Sequence, residues 1–229
     1  MKKLIVSDFD NTLFIDEENL KKNLLYIRKF QEAGNIFSIA TARSFQSFST
    51  VANKYNLIYD YVILNNGATV LDKNNEIISN HPLDDVVVKS IIKKIKRENY
   101  RLYTPFLEDE KEIKSITKLR YLFSSREEAF KLIKELSSFK DCPIAVFLNE
   151  INVDITSLDT NKSIAIKDII AKEKVKRNDV YTIGDGANDA EMLADFNGYA
   201  MVVSHPNLSK IVKNTYEQVF YLIDEIMQK

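Results

Sequence analysis

Cysteine is almost missing from this chain. Cys142 is the only one in 229 residues, which excludes an intrachain disulfide and any multi-thiolate zinc site built by one chain. It sits beside Pro143 with no neighbouring base and reads as packing. A reducing compartment, the cytoplasm, is the expected address. Long apolar runs are missing too: no stretch of about 18 apolar residues occurs, and no basic segment followed by an apolar one opens the chain. Neither a membrane span nor a secretory leader is expected. Net charge is also lacking, since 32 basic residues against 33 acidic ones leave −1. No overall field therefore draws the molecule to nucleic acid or to an anionic membrane. The local cluster Lys93, Lys94, Lys96 and Arg97 lies among Ile91, Ile92 and Ile95, the spacing of the wet face of an amphipathic helix. Repeats and low-complexity segments are absent.

The chain does have short apolar runs rich in β-branched residues at 4–6, 36–40, 61–64, 180–183 and 200–203. Runs of this kind suit strands buried on both faces of a parallel sheet. Helical patterns between them cover 19–33, closing at Gly34, then 45–55 and 163–174. Alternating strand and helix predicts an α/β fold with a doubly wound, Rossmann-like parallel sheet. The alternation breaks between about residues 82 and 154. There the pattern reads helix (84–97), strand-like stretches (100–106 and 113–123), a second helix (127–137), and two more strands (144–148 and 151–155). Helix-strand-strand twice over predicts an α+β insert, an antiparallel sheet carrying two helices on one face. The expected division is a core of residues 1–82 and 155–229 and a cap of residues 83–154, with two adjacent joints about which the cap can hinge.

Asp8 and Asp10 differ by two positions at the end of the first strand, so an extended backbone sends both carboxylates to one side. Open α/β sheets bind ligands at that carboxyl edge. Two such carboxylates repel unless a cation lies between them, and a hard divalent ion, Mg²⁺, suits carboxylates with phosphate oxygens. The competing role is a pair of turn aspartates. After residues 180–183 comes Gly184-Asp185-Gly186-Ala187-Asn188-Asp189. Its glycines permit a tight turn ahead of a helix whose first N–H groups face an anion, and Asp185 can supply a third carboxylate. Asn188 and Asp189 also suit a plain N-cap, while Asp189 can orient a lysine. Lys162, where the core pattern resumes, is the lysine so placed; the alternative is a surface residue. Thr41, with the N–H groups that adjoin it at Ala42 and Arg43, can hold phosphoryl oxygens or cap the next helix. Arg43 suits either a ligand contact or a surface pair.

In order along the chain, Asp8-Phe9-Asp10-Asn11-Thr12-Leu13, Thr41, Lys162 and Gly184-Asp185-Gly186-Ala187-Asn188-Asp189 resemble the four motifs of the haloacid dehalogenase superfamily. The insert between the second and third motifs, with Asn65-Asn66-Gly67-Ala68 before it, resembles the Cof-like phosphatase branch. The resemblance spans nearly the whole chain, though the cap matches in architecture rather than in residues. It implies that Asp8 attacks phosphorus and that Asp10 serves as acid and then base. It implies a Mg²⁺ site at Asp8, Asp185 and the backbone of Asp10, with Asp189 supporting the metal or the lysine. Thr41, Lys162 and Asn188 match phosphate-holding positions, and Ala42 and Arg43, which adjoin Thr41, are the further phosphate-binding candidates. Asn11 and Ala42 stand where the family often has Gly. The implied activity is hydrolysis of small phosphorylated metabolites, such as sugar phosphates, by a monomer or homodimer. The cap would select the leaving group, with Arg101, Tyr103, Arg120 and Asn149 as candidates. The alternatives are a phosphosugar mutase and a non-catalytic module that binds phosphorylated ligands.

Overall fold

The computed structural model describes residues 2–139 and 142–229. In chain order the core begins with β1 (Leu4–Asp8), α1 (Glu17–Glu32), β2 (Ile36–Ala40), α2 (Phe45–Tyr55), β3 (Tyr61–Leu64), β4 (Thr69–Asp72) and β5 (Ile77–Asn80). The insert follows as α3 (Asp85–Ile95), β6 (Tyr100–Tyr103), β7 (Lys118–Tyr121), α4 (Arg126–Leu136), β8 (Ile144–Asn149) and β9 (Asn152–Ser157). The chain then returns through α5 (Lys162–Glu173), β10 (Val180–Gly184), α6 (Ala190–Asp195), β11 (Asn197–Met201), β12 (Thr215–Tyr216) and α7 (Val219–Gln228).

Eight strands form the core sheet in the order β12-β11-β10-β1-β2-β3-β4-β5. All neighbours from β12 to β3 pair in parallel, and β4 and β5 add an antiparallel edge. Successive residues of β1 face opposite layers, as the pleat requires. Ile5 packs with Ile27 and Phe30 of α1, Phe48 of α2 and Leu222 of α7. Leu4 and Val6 pack with Ile166 and Ile169 of α5 and Met192 of α6. Each such side chain stabilises the fold by about 1.5–3 kcal/mol relative to exposure. The helices start where short polar side chains accept from their first turn: Asp16 from Asn19 N–H, Ser44 from Ser47 N–H, and Asn161 from Ile164 N–H. Gly34, at φ +82°, follows the end of α1, the turn its sequence position predicts.

The insert forms a separate antiparallel sheet ordered β6-β7-β9-β8. Leu102, Leu119, Tyr121, Val153 and Ile155 pack against Val88, Ile91 and Ile95 of α3 and Ala129, Leu132 and Leu136 of α4. The basic cluster near the end of α3 behaves as its spacing predicts: Lys93, Lys94 and Lys96 are exposed while Ile91 and Ile95 are buried.

The structure differs from the expected elements in places. The hairpin β4–β5, β12 and α7 have no counterpart in the sequence reading. The stretch expected at 200–203 runs instead from Asn197 to Met201. Strand-like stretches at 100–106 and 113–123 shorten to β6 and β7, and residues 104–117 turn toward the core rather than extend the sheet. There Phe106 meets Phe45 edge-on at 5.1 Å, Glu108 accepts from the Ser44 hydroxyl, and Asn65 Nδ2 donates to Thr117 Oγ1 at 3.2 Å. Contacts made to another element, not local propensity, shape this segment. Among the described residues, no helix is long and apolar enough to cross a membrane.

Candidate active site

β1 lies between β10 and β2, where the chain's progress across the sheet reverses. Such a switch point opens a crevice at the carboxyl ends of the strands. Asp8 lies in register with Ala40, so Thr41 leaves the same edge, and Asp185 follows Gly184 at the end of β10 on the other side.

Lys162 opens α5 and is buried, its Nζ donating to Asp8 Oδ1 at 2.5 Å and to Asp189 Oδ1 at 2.6 Å. Asp189 Oδ2 accepts from the backbone N–H groups of Asp185 at 3.0 Å and Gly186 at 2.8 Å. Its carboxylate therefore orients the lysine and shapes the loop rather than capping α6, for which it makes no side-chain cap bond. Gly184 is required here, because a Cβ on it would lie 2.4 Å from Asp189 Oδ2. Asp185 receives a hydrogen bond from the Thr12 hydroxyl at 2.8 Å.

Oxygen atoms of Asp8, Asp185 and Asp189 lie within 4.8 Å of one another. Three carboxylates face one ammonium, leaving a surplus of two negative charges if all are ionised. Burial, with the charges of Asp189 and Asp185 adding to it, holds the Asp8 carboxyl well above its usual range despite Lys162. Burial also raises Asp185, opposed by the Thr12 hydroxyl. For Lys162 burial works downward, yet Asp189 and Asp8 outweigh it and hold the ammonium above its ordinary value. A buried, all-oxygen set short of positive charge fits a hard divalent cation.

Asp10 is not part of this cluster. The chain turns after Asp8, with Asn11 at φ +60°, and the Asp10 carboxylate accepts from Arg43 Nη2 at 2.7 Å and Nε at 2.9 Å. The left-handed turn accounts for an Asn where glycine is common, since Asn tolerates that conformation. Arg43 also donates to Ser47 Oγ at 3.2 Å and stacks 5.5 Å from the Phe9 ring centroid. Its partner in this structure is thus the carboxylate at the rim.

Thr41 is buried and is not the helix cap, a role Ser44 takes; its hydroxyl accepts from Arg43 N–H at 3.1 Å. Ala42 presents its carbonyl to the cap, where Lys118 Nζ donates to it at 3.0 Å. Asn188 Nδ2 donates to Asn66 Oδ1 at 3.1 Å. Asn66 N–H donates to Thr41 O at 3.1 Å and Asn65 N–H to Arg43 O at 2.9 Å, so residues 65–67 tie together three parts of the site. Asn66 is buried at φ +58°, and its Nδ2 has no partner among the described residues.

Asn66, Thr12 and Lys118 were not among the residues singled out from sequence. Thr12 and Asn66 lie inside motifs that point to the site, but nothing in their sequence neighbours gives either a role. For Lys118 the signal was the alternation Lys118-Leu119-Arg120-Tyr121, which marks a strand with one dry and one polar face. Of the cap candidates, Arg120 donates to Asp154 through Nε at 2.6 Å and Nη2 at 2.7 Å, and Asn149 Nδ2 reaches the same carboxylate at 3.3 Å. Tyr103 is buried beneath Lys118, whose Nζ lies 4.5 Å from its ring centroid, and exposed Arg101 lies 3.8 Å from Asp109.

A parallel sheet with a carboxylate cluster at its switch point and a capping antiparallel sheet defines a class of hydrolase, and sequence comparison agrees. Residues 5–111 and 101–219 match the haloacid dehalogenase-like hydrolase family, to which the chain belongs. The fold is shared with a Plasmodium vivax protein named a HAD/COF-like hydrolase, which superposes with a TM-score of 0.83 at 19% identity, over 99% of this chain and 96% of that one. An uncharacterised protein of Mycoplasma capricolum is 26% identical over 267 aligned positions, covering 100% of this chain and 99% of its own. The 5-amino-6-(5-phospho-D-ribitylamino)uracil phosphatase of Bacillus subtilis is 23% identical, over 95% of this chain and 89% of its own.

Proposed function

We propose that the protein is a Mg²⁺-dependent phosphatase of the cytoplasm that hydrolyses small phosphorylated metabolites, sugar phosphates or similar, through a phospho-aspartate on Asp8. The carrying observation is the buried Lys162 bridging Asp8 and Asp189 within a three-carboxylate cluster at the sheet's switch point. The relative that acts on a phosphorylated ribityl compound supports the substrate class.

In the first step a carboxylate oxygen of Asp8 attacks phosphorus and the bond to the leaving oxygen breaks. Asp10 gives that oxygen a proton, and Arg43, bonded to the Asp10 carboxylate at 2.7 Å, orients it. In the second step water attacks phosphorus, Asp10 takes the proton, and the bond to Asp8 breaks to release phosphate. Lys162, Asn188, the Thr41 hydroxyl and the backbone N–H groups of Ala42 and Arg43 hold the phosphoryl oxygens. Asp8, Asp185 and the Asp10 backbone would hold Mg²⁺, with Asp189 as support through Lys162. The ion supplies neutralisation of charge between carboxylate and phosphate. In this reading the catalytic core is residues 1–82 and 158–229 and the cap that closes over it is residues 83–157, because β9 of the cap sheet runs on to Ser157 rather than ending at the expected 154.

The test is phosphate release from phosphorylated sugars, nucleotides and vitamin phosphates, with Mg²⁺ and with chelator, using Asp8→Asn as blank. Metal-dependent release that vanishes in the variant is expected. Release that persists in the variant would refute the assignment of Asp8, and no release from any compound would refute the phosphatase reading.

A further inference from the structure

The cap sheet has one face covered by helices and a second that meets the core. Leu119 and Tyr121 of β7 belong to the first. Lys118 and Arg120 alternate with them and belong to the second, opposite Tyr103 and Asp154 in register. A lysine on an exposed sheet face would normally reach into water, but Lys118 is 1% exposed. Its ammonium lies against the loop of residues 41–43, bonded to the Ala42 carbonyl at 3.0 Å.

The charged groups around Lys118 are already engaged. Asp154 accepts from Arg120 and Asn149, and Glu108 accepts from Ser44. Among the described residues, no carboxylate lies within ion-pair distance of Lys118, and the Ala42 carbonyl is its one hydrogen-bond acceptor. The Tyr103 ring, 4.5 Å from Nζ, adds a cation–π contact, and two ammonium hydrogens have no oxygen partner. Burial lowers the Lys118 pKa to about 8, with Asp154 and Glu108 opposing and Arg120 adding to the fall. A buried ammonium so poorly compensated gains from an incoming oxygen.

We propose that Lys118 reads the leaving group, donating to an acceptor oxygen on the part of the substrate that is not transferred. The site would then favour phosphate esters of hydroxylated or anionic compounds over those of apolar ones. This rests on the phosphatase reading and adds one residue that discriminates among substrates. Loss of a hydrogen bond from a charged donor lowers specificity by roughly 10- to 100-fold.

The experiment compares wild type, Lys118→Met and Lys118→Arg on glucose 6-phosphate, fructose 1,6-bisphosphate and p-nitrophenyl phosphate. For Lys118→Met, kcat/KM on the two sugar phosphates should fall about 10- to 100-fold through KM, with p-nitrophenyl phosphate changed by less than about twofold. Lys118→Arg, which keeps a donor, should recover most of the discrimination. A larger loss on the bisphosphate identifies an anionic oxygen as the partner, and equal losses identify a hydroxyl. The same losses on all three substrates would overturn the proposal and make Lys118 a clasp between cap and core; no loss would overturn it too. Calorimetric binding of the sugar phosphates on the Asp8→Asn background needs no turnover and separates this inference from the phosphatase reading. There Lys118→Met should weaken affinity by a similar factor, and unchanged affinity would refute the role.

Discussion

Removing the proposed nucleophile should stabilise the metal-free protein. Asp8 has carboxylate oxygens of Asp185 and Asp189 within 4.8 Å and the Lys162 ammonium at 2.5 Å. At an effective dielectric constant of about 20, each carboxylate repels it by at least about 3.5 kcal/mol and the ammonium attracts it by about 6.6 kcal/mol. These terms nearly cancel, so the cost of burying the charge is left over, on the order of 2 kcal/mol. Asp8→Asn keeps the shape and removes that charge. Because burial raises the Asp8 pKa in the folded state, its contribution to stability is complete below its unfolded value of about 4 and is lost as pH rises through the raised value. At pH 8 in chelator, the variant should therefore melt about 4–8 °C above wild type. The gap should close toward pH 4, and Mg²⁺ should narrow it at pH 8 by stabilising the wild type. Thermal unfolding followed by circular dichroism across this range reads both effects. A variant that melts at or below the wild-type temperature at pH 8 would refute the charge accounting.

Two further outcomes follow from the geometry. Asp10→Asn should retain a burst of nitrophenolate from p-nitrophenyl phosphate, whose leaving group needs no acid, and then turn over about 10²- to 10⁴-fold more slowly because no base activates water; stopped-flow absorbance that finds full steady-state turnover would exclude Asp10 as the base. Gly67→Ala places a Cβ 2.2 Å from Asn161 O at φ +108°, just ahead of Lys162, and should cost about 2–4 kcal/mol in urea unfolding; an unchanged midpoint would show that the loop yields freely.

The local patterns were legible because they depend on neighbours in sequence. Buried strands with β-branched residues, the turn at Gly34, and the helix-strand-strand repeat of the insert each follow from short-range periodicity and turn chemistry. The convergence of Asp8 and Asp185 follows in the same way, since both end neighbouring parallel strands; Lys162 was placed with them only by its position among the family motifs, and the structure brings it to Asp8 and Asp189. The single cysteine by itself also excluded an intrachain disulfide.

Tertiary structure decided which partner each polar group takes. Sequence left Thr41 between phosphate contact and helix cap, and Asp189 between cap and lysine support; Ser44 takes the cap, while Asp189 is bonded to Lys162 and to two backbone N–H groups. Spacing put Asp8 and Asp10 on one side of an extended strand, but the strand ends at Asp8, and the turn at Asn11 delivers Asp10 to Arg43 instead. Alternation places Lys118 on the polar face of a strand, but not at the site, because its burial comes from a loop 76 positions away. Burial and long-range contact set the charge balance of a side chain, and neither is written in its immediate neighbours.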